Sequence, residues 1–276
     1  MKRIITVQDV SCVGKCSLTV ALPIISAAGV EAGVLPTAVL STHTQFEKYT
    51  FCDLTDEIQG ISDTLYELGI DFDAIYTGYL GSHRQLSLVT DMFERFGDKA
   101  LKIVDPVMAD NGVLYKGFTP EFAASMAELC ARADLIIPNL TEASFMLGIP
   151  YNPDYDEEYI RDVLKRLTAL GCKSAAISGV SFTPDKIGVY YYDGELDEYY
   201  SYFNERLPVQ FHGTGDIFAS ATVGAMMRGK STAESLKIAV DFTLRCMQLT
   251  LADPSARPYG VNFEEALPYY VELIAN

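Results

Sequence analysis

The sequence predicts an α/β fold in which helices cover both faces of a doubly wound, mostly parallel sheet. Short apolar runs rich in β-branched residues alternate with amphipathic stretches, which is the pattern of βαβ units. The composition agrees, since 49% of the 276 residues are hydrophobic and 21% are charged. No internal repeat, charge block or Gly/Ser-rich linker divides the chain. We therefore expect a single domain over residues 1–276.

The first two thirds of the chain carry the predicted parallel strands and their crossover helices. Apolar runs predict strands at 4–7, 33–38, 74–78, 101–104, 135–137 and 174–177. Amphipathic stretches predict helices near 17–28, 54–68, 83–96, 119–131 and 156–169. Ligands of such sheets bind outside the carboxyl ends of the strands, so functional residues are expected just after a strand or at a helix start.

The last third predicts a small β-hairpin followed by helices. Arms rich in tyrosine and β-branched residues, at 187–192 and 199–203, flank Asp193-Gly194-Glu195, and Asp-Gly favours a tight turn. After Gly213 the pattern is helical, with helices at about 215–228, 232–250 and 263–275.

One motif in this helical region is a false lead. Residues 224–231 satisfy the phosphate-loop pattern GxxxxGK[ST], but a true phosphate loop follows a strand, and the residues here favour a helix. Gly229 is better explained as the residue that ends one helix, and Ser231 as the N-cap of the next.

The charge balance narrows the range of partners. The chain has 21 Lys+Arg against 37 Asp+Glu, a net charge of −16. This charge repels nucleic acid and anionic membrane surfaces, so neither is an expected partner. An anionic small molecule would need a local site, such as a helix N-terminus.

Cysteine usage and the N-terminal sequence predict a cytoplasmic protein. The six cysteines include no CxxC pair and are scattered, which is typical of reduced thiols. The N-terminus lacks the apolar region of a signal peptide, and no apolar run approaches the roughly 18 residues that a membrane span needs.

The sequence HGTGD at 212–216 is the first candidate site. Two glycines bracket Thr214, Asp216 follows, and a helix of small residues begins. Free N–H groups at a glycine-flanked helix start can hold an anion, and Asp216 beside them could accept the proton of an attacking hydroxyl. The structural alternative is a glycine turn with Asp216 as an ordinary acid in the first helical turn.

Two polar clusters follow predicted strands. Asp105 to Asp110 come after the strand at 101–104, and a carboxylate there commonly holds Mg²⁺; the alternative is an Asp-Pro turn. Asn139 and Glu142 follow the next strand; the alternative is an N-cap with a capping-box Glu. Together with the glycine-rich helix start, the two clusters predict a Mg²⁺-dependent nucleotide kinase.

Five motifs occur in order along the chain: STHTQF at 41–46, TGYLGS at 77–82, DPVMAD at 105–110, PNLTE at 138–142 and HGTGD at 212–216. They resemble the motifs of the ribokinase-like superfamily and, within it, of the pyridoxal/pyridoxamine kinase family. The first two separate this family from the sugar kinases. The resemblance implies the ribokinase-like fold and a homodimer.

The resemblance also implies the phosphoryl-transfer residues. Asp216 would take the proton from the 5′-hydroxymethyl group of the pyridine. The γ-phosphate would rest on Gly213, Thr214 and Gly215. The residues implied to organise the nucleotide are Asp105, Asp110, Asn139, Glu142, Ser178 and Thr214, with Asp105 and Glu142 as Mg²⁺ ligands. ATP and Mg²⁺ are the implied cofactors, with a monovalent cation such as K⁺ as a further candidate.

A second implied group surrounds the pyridine. Thr44 and Tyr79 would contact the substrate, and His43 would shape the pocket. Asp9 or Ser11 would lie over the ring. Many members of the family carry Gln-Ser-His where this chain has Gln8-Asp9-Val10. Asp9 could accept from the phenolic hydroxyl or the pyridine nitrogen, or pair with the amine of pyridoxamine, which leaves the preferred vitamer open.

The predicted function is ATP- and Mg²⁺-dependent phosphorylation of the 5′-hydroxymethyl group of pyridoxal, pyridoxamine or pyridoxine, feeding salvage to pyridoxal 5′-phosphate. One rival is a hydroxymethylpyrimidine kinase of thiamine metabolism. Another is a catalytically silent protein that binds pyridoxal phosphate, although such a protein would not need Asp216, Asp105 and Glu142 together. Lys15 either reaches a phosphate or is solvated.

Overall fold

The structure is a computed structural model, and it describes residues 1–275. A nine-stranded sheet forms its centre. The predicted domain's last residue, Asn276, lies outside the described residues. The strands are β1 (Arg3–Val13), β2 (Glu31–Thr42), β3 (Phe51–Asp53), β4 (Ala74–Thr77), β5 (Leu101–Val104), β6 (Ala109–Asp110), β7 (Val113–Leu114), β8 (Leu135–Ile136), β9 (Ser174–Thr183), β10 (Lys186–Asp193) and β11 (Glu198–Glu205). The helices are α1 (Leu18–Ala27), α2 (Thr55–Glu67), α3 (His83–Phe96), α4 (Pro120–Cys130), α5 (Leu140–Leu147), α6 (Glu157–Thr168), α7 (Thr214–Met227), α8 (Thr232–Ala252) and α9 (Phe263–Ala275).

The strand order is β11-β10-β9-β8-β5-β4-β1-β2-β3. The pairs from β2 through β9 are parallel, whereas β3, β10 and β11 add antiparallel edges. β6 and β7 form a separate two-stranded ribbon. The chain reverses its winding direction at β1, which lies between β2 and β4. The carboxyl ends on either side of this reversal are where a ligand is expected.

Two apolar layers cover the two faces of the sheet, as doubly wound folds require. Helices α2 to α6 pack on one face around buried residues such as Val104 and Ile160. Helices α1, α7, α8 and α9 pack on the other face around Ile103 and Phe242. Because side chains alternate along a strand, the neighbours Ile103 and Val104 serve opposite layers. The predicted doubly wound α/β class is confirmed.

Three strands are longer than their apolar runs. β1 and β2 pair as far as Val13 with Thr42, beyond the end of β4 at Thr77, and β3 adds to this extension by pairing with β2. Asp9 and Ser11 therefore lie inside β1 rather than after it. β9 continues past the predicted end at 177 because a bulge at Gly179, with φ of 73°, keeps it paired with β10. These extensions contain polar residues that interrupt the apolar runs, so the sequence pattern did not predict them.

Several short elements were not predicted from sequence. The strand β3, the β6/β7 ribbon and the body of α5 are absent from the predicted elements, although a helix start at 139–142 was considered. The hairpin of β10 and β11 is confirmed, but it extends the central sheet, and its loop spans 194–197 instead of a tight turn. Asp193 stabilises that loop by accepting from the N–H groups of Glu195 and Leu196 at 3.0 and 3.1 Å.

The helical predictions agree well with the structure, and α3 and α9 have the predicted bounds. The phosphate-loop pattern is indeed a helix boundary: Gly224 lies in α7, Gly229 has φ of 87°, and Ser231 caps α8 in a capping box with Glu234. Within residues 1–275, no helix is both long enough and apolar enough to cross a membrane.

Candidate active site

The turn Gly213–Asp216 begins α7 at the edge of the sheet where the ligand is expected. Gly213 has φ of 81°, and a Cβ built on it would lie 2.3 Å from the carbonyl oxygen of Lys15. Its own carbonyl accepts the first helical hydrogen bond, from Ile217 N at 3.1 Å. The N–H groups of the first helical turn have no acceptor within the helix and carry its positive dipole end. Glycine is therefore required at 213, and the turn presents an anion site.

Gly215 differs from Gly213 because nothing in the protein requires it to be a glycine. It is exposed, its φ is outside the left-handed region, and a Cβ built on it would meet no atom within 4 Å. The space above its backbone is therefore open to an incoming group. Such open backbone at a helix start suits the close approach of a phosphate.

Asp216 lies in the first turn of α7 beside this opening and keeps part of its surface exposed. The pKa of its carboxyl group is raised to about 7: burial is the main cause, a backbone hydrogen bond from Ser17 opposes it, and the nearby Asp9 carboxyl adds to it. A general base is most effective when its pKa is close to the working pH. Asp216 therefore has the proton affinity that a base in neutral solution needs.

This pKa predicts the pH dependence of turnover. Only the ionised carboxylate can accept a proton, so activity should be low below pH 6 and rise through about pH 7 as Asp216 ionises. This rise is measured by determining kcat/KM for pyridoxal over a series of pH values, at saturating ATP and Mg²⁺. A profile that is already flat from pH 5 upward would contradict a base with this pKa.

Asp105 and Glu142 form a buried acidic pair. Asp105 is the first residue after β5, and Glu142 lies in the first turn of α5. They are 7% and 3% exposed. Burial raises the pKa of both carboxyl groups, and the charge of Glu142 raises the pKa of Asp105 further. Two such carboxylates favour either a shared proton or a bound cation.

Asn139 and Glu142 form a capping box at the start of α5, which is the structural alternative to a nucleotide site for this motif. The Asn139 Oδ1 atom accepts from Glu142 N, and the Glu142 Oε2 atom accepts from Asn139 N, both at 2.9 Å. Both residues also hold the loop after β5: Glu142 Oε1 accepts from Met108 N at 3.0 Å, and Asn139 Nδ2 donates to Ala109 O at 2.8 Å. Their first role is thus to hold the two loops at this edge together.

The other predicted nucleotide residues lie near this capping box. Ser178 is a partly exposed residue of β9, and it bridges to Asn139 while its N–H donates to Pro138 O at 2.9 Å. Asp110 is exposed at the end of β6, and its charge raises the pKa of Glu142. Its carboxylate accepts from Asn111 N at 2.8 Å.

The donor set suits Mg²⁺ that is shared with a nucleotide. None of the ion pairs found within residues 1–275 includes Asp105, Glu142, Asp9 or Asp216, so these acids lack a basic partner. The described part of the chain also has no cluster of three His, Cys, Asp or Glu side chains that could hold a metal alone. Mg²⁺ typically takes one or two carboxylates and completes its shell with water and phosphate oxygens. Asp105 fits this role better than Glu142, whose oxygens already accept from backbone N–H groups.

Three of the residues predicted to bind the pyridine lie near Asp9: Ser11, His43 and Tyr79. Asp9 is 5% exposed, its Oδ2 atom accepts from Ser11 Oγ at 3.2 Å, and burial raises its pKa. Tyr79 is close enough to Asp9 for the two groups to interact electrostatically: burial, followed by the charge of Asp9, raises the pKa of the Tyr79 hydroxyl to about 12. The ring of Tyr79 lies against Phe118, with ring centroids 5.6 Å apart. Asp9 therefore lies within electrostatic range of both the aromatic Tyr79 and the carboxylate of Asp216.

His43 forms another wall of this region. Its Nδ1 atom accepts from Gln45 N at 3.2 Å, so Nε2 carries the proton and donates to Tyr259 O at 3.1 Å. Its ring lies 4.1 Å from the ring of His212, which packs just before the Gly213 turn. Burial lowers the pKa of both imidazoles, to about 4 for His212. Thr44 lies beside His43 on an exposed loop.

Two features of the site were missed from sequence. The turn Gly14–Ser17 contacts Gly213 and Asp216, but only the glycine at 14 hints at it. Gln8 is fully buried, and its amide has no hydrogen-bond partner in residues 1–275. Gly78 provides the room for Gln8, since a Cβ there would lie 2.9 Å from the Gln8 Cδ atom.

Comparison with known proteins assigns the chain to a family. The sequence profile of the family described as phosphomethylpyrimidine kinase matches residues 22–256. The chain belongs to this family. The match includes every predicted site residue except Asp9 and Ser11, which precede it.

Related proteins match this chain over most of its length, and two of them have solved structures with the same fold. One is a provisionally named phosphomethylpyrimidine kinase from Bacteroides thetaiotaomicron, crystallised with pyridoxal; it is 39% identical, has a TM-score of 0.92, and the match covers 98% of this chain and 95% of that one. Another is pyridoxal kinase from Lactobacillus plantarum, 31% identical with a TM-score of 0.91, covering 99% and 98% of the two chains. The pyridoxine kinase of Bacillus subtilis is 31% identical over 196 residues, 68% of each chain. The predicted kinship with pyridoxal kinases and the ribokinase-like fold are confirmed.

Proposed function

We propose that the chain is an ATP-dependent kinase that phosphorylates the 5′-hydroxymethyl group of a vitamin B6 pyridine. The observation that carries the proposal is the start of α7, where Asp216 lies beside the open backbone of Gly215 and the required turn at Gly213. The Lactobacillus pyridoxal kinase and the Bacillus pyridoxine kinase support the reaction class. The Bacteroides structure with pyridoxal supports the class of substrate.

The chemistry follows from these side chains. The hydroxymethyl oxygen attacks the γ-phosphorus of ATP, the bond to the β-phosphate oxygen breaks, and ADP leaves. A free alcohol is too weak an acid to be ionised beforehand, so its proton passes to the Asp216 carboxylate as the new O–P bond forms. The N–H groups of the 213–216 turn hold the phosphoryl oxygens. Mg²⁺, held by Asp105, would neutralise charge on the triphosphate.

Asp9 is proposed to select among the vitamers. A buried carboxylate gains most from a cationic partner, and of the three vitamers only pyridoxamine carries an amine. In Asp9→Asn we expect kcat/KM for pyridoxamine to fall about tenfold or more relative to pyridoxal, since a charge-assisted hydrogen bond is worth about 1.5–3 kcal/mol. Parallel steady-state assays measure the ratio. An equal loss on all vitamers would instead place Asp9 against a group that they share.

A substrate panel tests the function against its rivals. Wild-type protein is assayed with ATP and pyridoxal, pyridoxamine, pyridoxine or hydroxymethylpyrimidine, with Mg²⁺ or with EDTA. We expect Mg²⁺-dependent turnover on the pyridines. Turnover on the pyrimidine alone would assign the chain to thiamine metabolism. Tight binding of pyridoxal phosphate with no turnover would identify a silent binding protein.

The remaining expectations belong to the same proposal. We take residues 1–276 as one kinase domain that acts in the cytoplasm as a homodimer, as the composition and the pyridoxal kinase resemblance predict. A monovalent cation such as K⁺ is a further candidate cofactor. Size-exclusion chromatography and assays with K⁺ replaced by a quaternary ammonium ion examine the last two points.

A further inference from the structure

The side chain of Lys15 is mostly buried, and its ammonium group is held by protein acceptors. Its ammonium donates to Val261 O and Asn262 Oδ1, each at 3.1 Å, and to Glu264 Oε2 at 2.9 Å. Its aliphatic stem packs on Gly260, where a Cβ would lie 2.6 Å from the Lys15 Cβ atom. Only 19% of the side chain is exposed. The side chain therefore ties the turn after β1 to the segment that begins α9.

The backbone of the same turn contacts the candidate active site. The carbonyl oxygen of Lys15 fills the space where Gly213 lacks a side chain, and the backbone of Ser17 is hydrogen-bonded to Asp216. Lys15 and Ser17 both have positive φ, at 49° and 48°, which is unfavourable for residues other than glycine. Such a conformation persists only where surrounding contacts hold it, and the ammonium of Lys15 supplies three of them.

We propose that Lys15 is a positioning residue, which holds the strained turn Gly14–Ser17 against Gly213 and so fixes Asp216 relative to the anion site. The inference rests on the proposed function. Lys15 touches neither reactant; it acts through its own carbonyl and through the Ser17 backbone. Lys15 thus joins the Gly213 turn, through its carbonyl, to residues 261–264, through its ammonium.

The first test separates positioning from phosphate binding. In Lys15→Met we expect kcat to fall about 10- to 100-fold, because a misplacement of about 1 Å can cost a factor of about 100. The KM values for ATP and pyridoxal should stay within about threefold. Lys15→Arg should recover most of the rate, because a guanidinium can donate to the same oxygens. Unchanged kcat with a raised KM for ATP would make Lys15 a phosphate contact and overturn the proposal.

The matched control is Lys2→Met. Lys2 also forms an ion pair, with Asp73 at 2.7 Å, but at the opposite end of β1 and on the surface. This variant should keep the wild-type kcat. If Lys2→Met lost as much activity as Lys15→Met, the effect would be a general loss of stability in β1, and the proposal would fail.

A second measurement does not depend on activity. Hydrogen–deuterium exchange of the free protein reports on peptides covering 211–217. We expect exchange there to be about tenfold faster in Lys15→Met and unchanged in Lys15→Arg and Lys2→Met. Should Lys15→Met fail to fold, Glu264→Gln weakens one of the three contacts and should show a smaller change in the same direction. Unchanged exchange in a folded variant overturns the proposal, whereas an inactive wild type overturns only the proposed function.

Discussion

Asp216→Asn should lower kcat by about a factor of 1,000, within the range of about 10²–10⁴ that a positioned base contributes. Asparagine has the same shape, but it cannot accept the hydroxyl proton. The anion site at Gly213–Gly215 and the Asp9 region are unchanged, so KM values should change by less than about fivefold. Initial rates of ADP formation with pyridoxal and Mg²⁺ measure both constants.

The control for this variant is another acid in a first helical turn. Asp56 occupies that position in α2, where it is exposed and forms an ion pair with Arg84. Asp56→Asn removes the same charge from the same kind of site and should not affect turnover. If Asp216→Asn were equally harmless, Asp216 would be only a favourable partner of the helix dipole, which is the structural alternative for this motif.

Gly215→Ala should abolish most of the activity without unfolding the protein. A methyl group there meets no protein atom within 4 Å, so it enters the space in which the transferring phosphate would lie. We expect kcat/KM to fall about 100-fold or more, because the phosphoryl group is displaced from its backbone donors. The melting temperature should stay the same or rise, since alanine favours a helix over glycine by about 0.8–1.0 kcal/mol.

Two glycines provide matched controls for this result. Gly60, inside α2, also has open space around a built Cβ, so Gly60→Ala should stabilise without loss of turnover. Gly213→Ala should instead lower the melting temperature, since φ is positive there and the Cβ would lie 2.3 Å from Lys15 O. If Gly215→Ala retained full activity, the open backbone would not be the phosphate site.

The layered fold was predictable because hydrophobic periodicity identifies the helices and strands and the faces that they bury. The helix α3 has the bounds that its apolar spacing predicts, since Leu86, Val89 and Phe93 all face the core. Strand β3 could not be found, because all three of its residues are exposed and it exists only by pairing with β2. The extension of β1 was not predicted for the same reason: its last residues form a strand by pairing with β2, and they have no apolar pattern of their own.

The site residues were predictable where a local motif holds them, and not where distant segments meet. Asp105, Asn139 and Asp216 follow strands or start helices, so their positions follow from the topology alone. The turn at Lys15 depends on contacts with residues about 200 and 246 positions away, at Gly213 and Val261. Its positive φ values belong to Lys15 and Ser17, residue types that do not signal such a backbone conformation.

The most direct test of the central claim follows the phosphorus atom. Wild-type protein, ATP, Mg²⁺ and pyridoxal are incubated at pH 7.5, and the products are observed by ³¹P NMR. We expect one equivalent of a phosphate monoester on the 5′ oxygen for each ADP formed, and monoester formation about 1,000-fold slower with Asp216→Asn. Release of inorganic phosphate in place of the monoester, or an Asp216→Asn spectrum equal to that of the wild type, would contradict it.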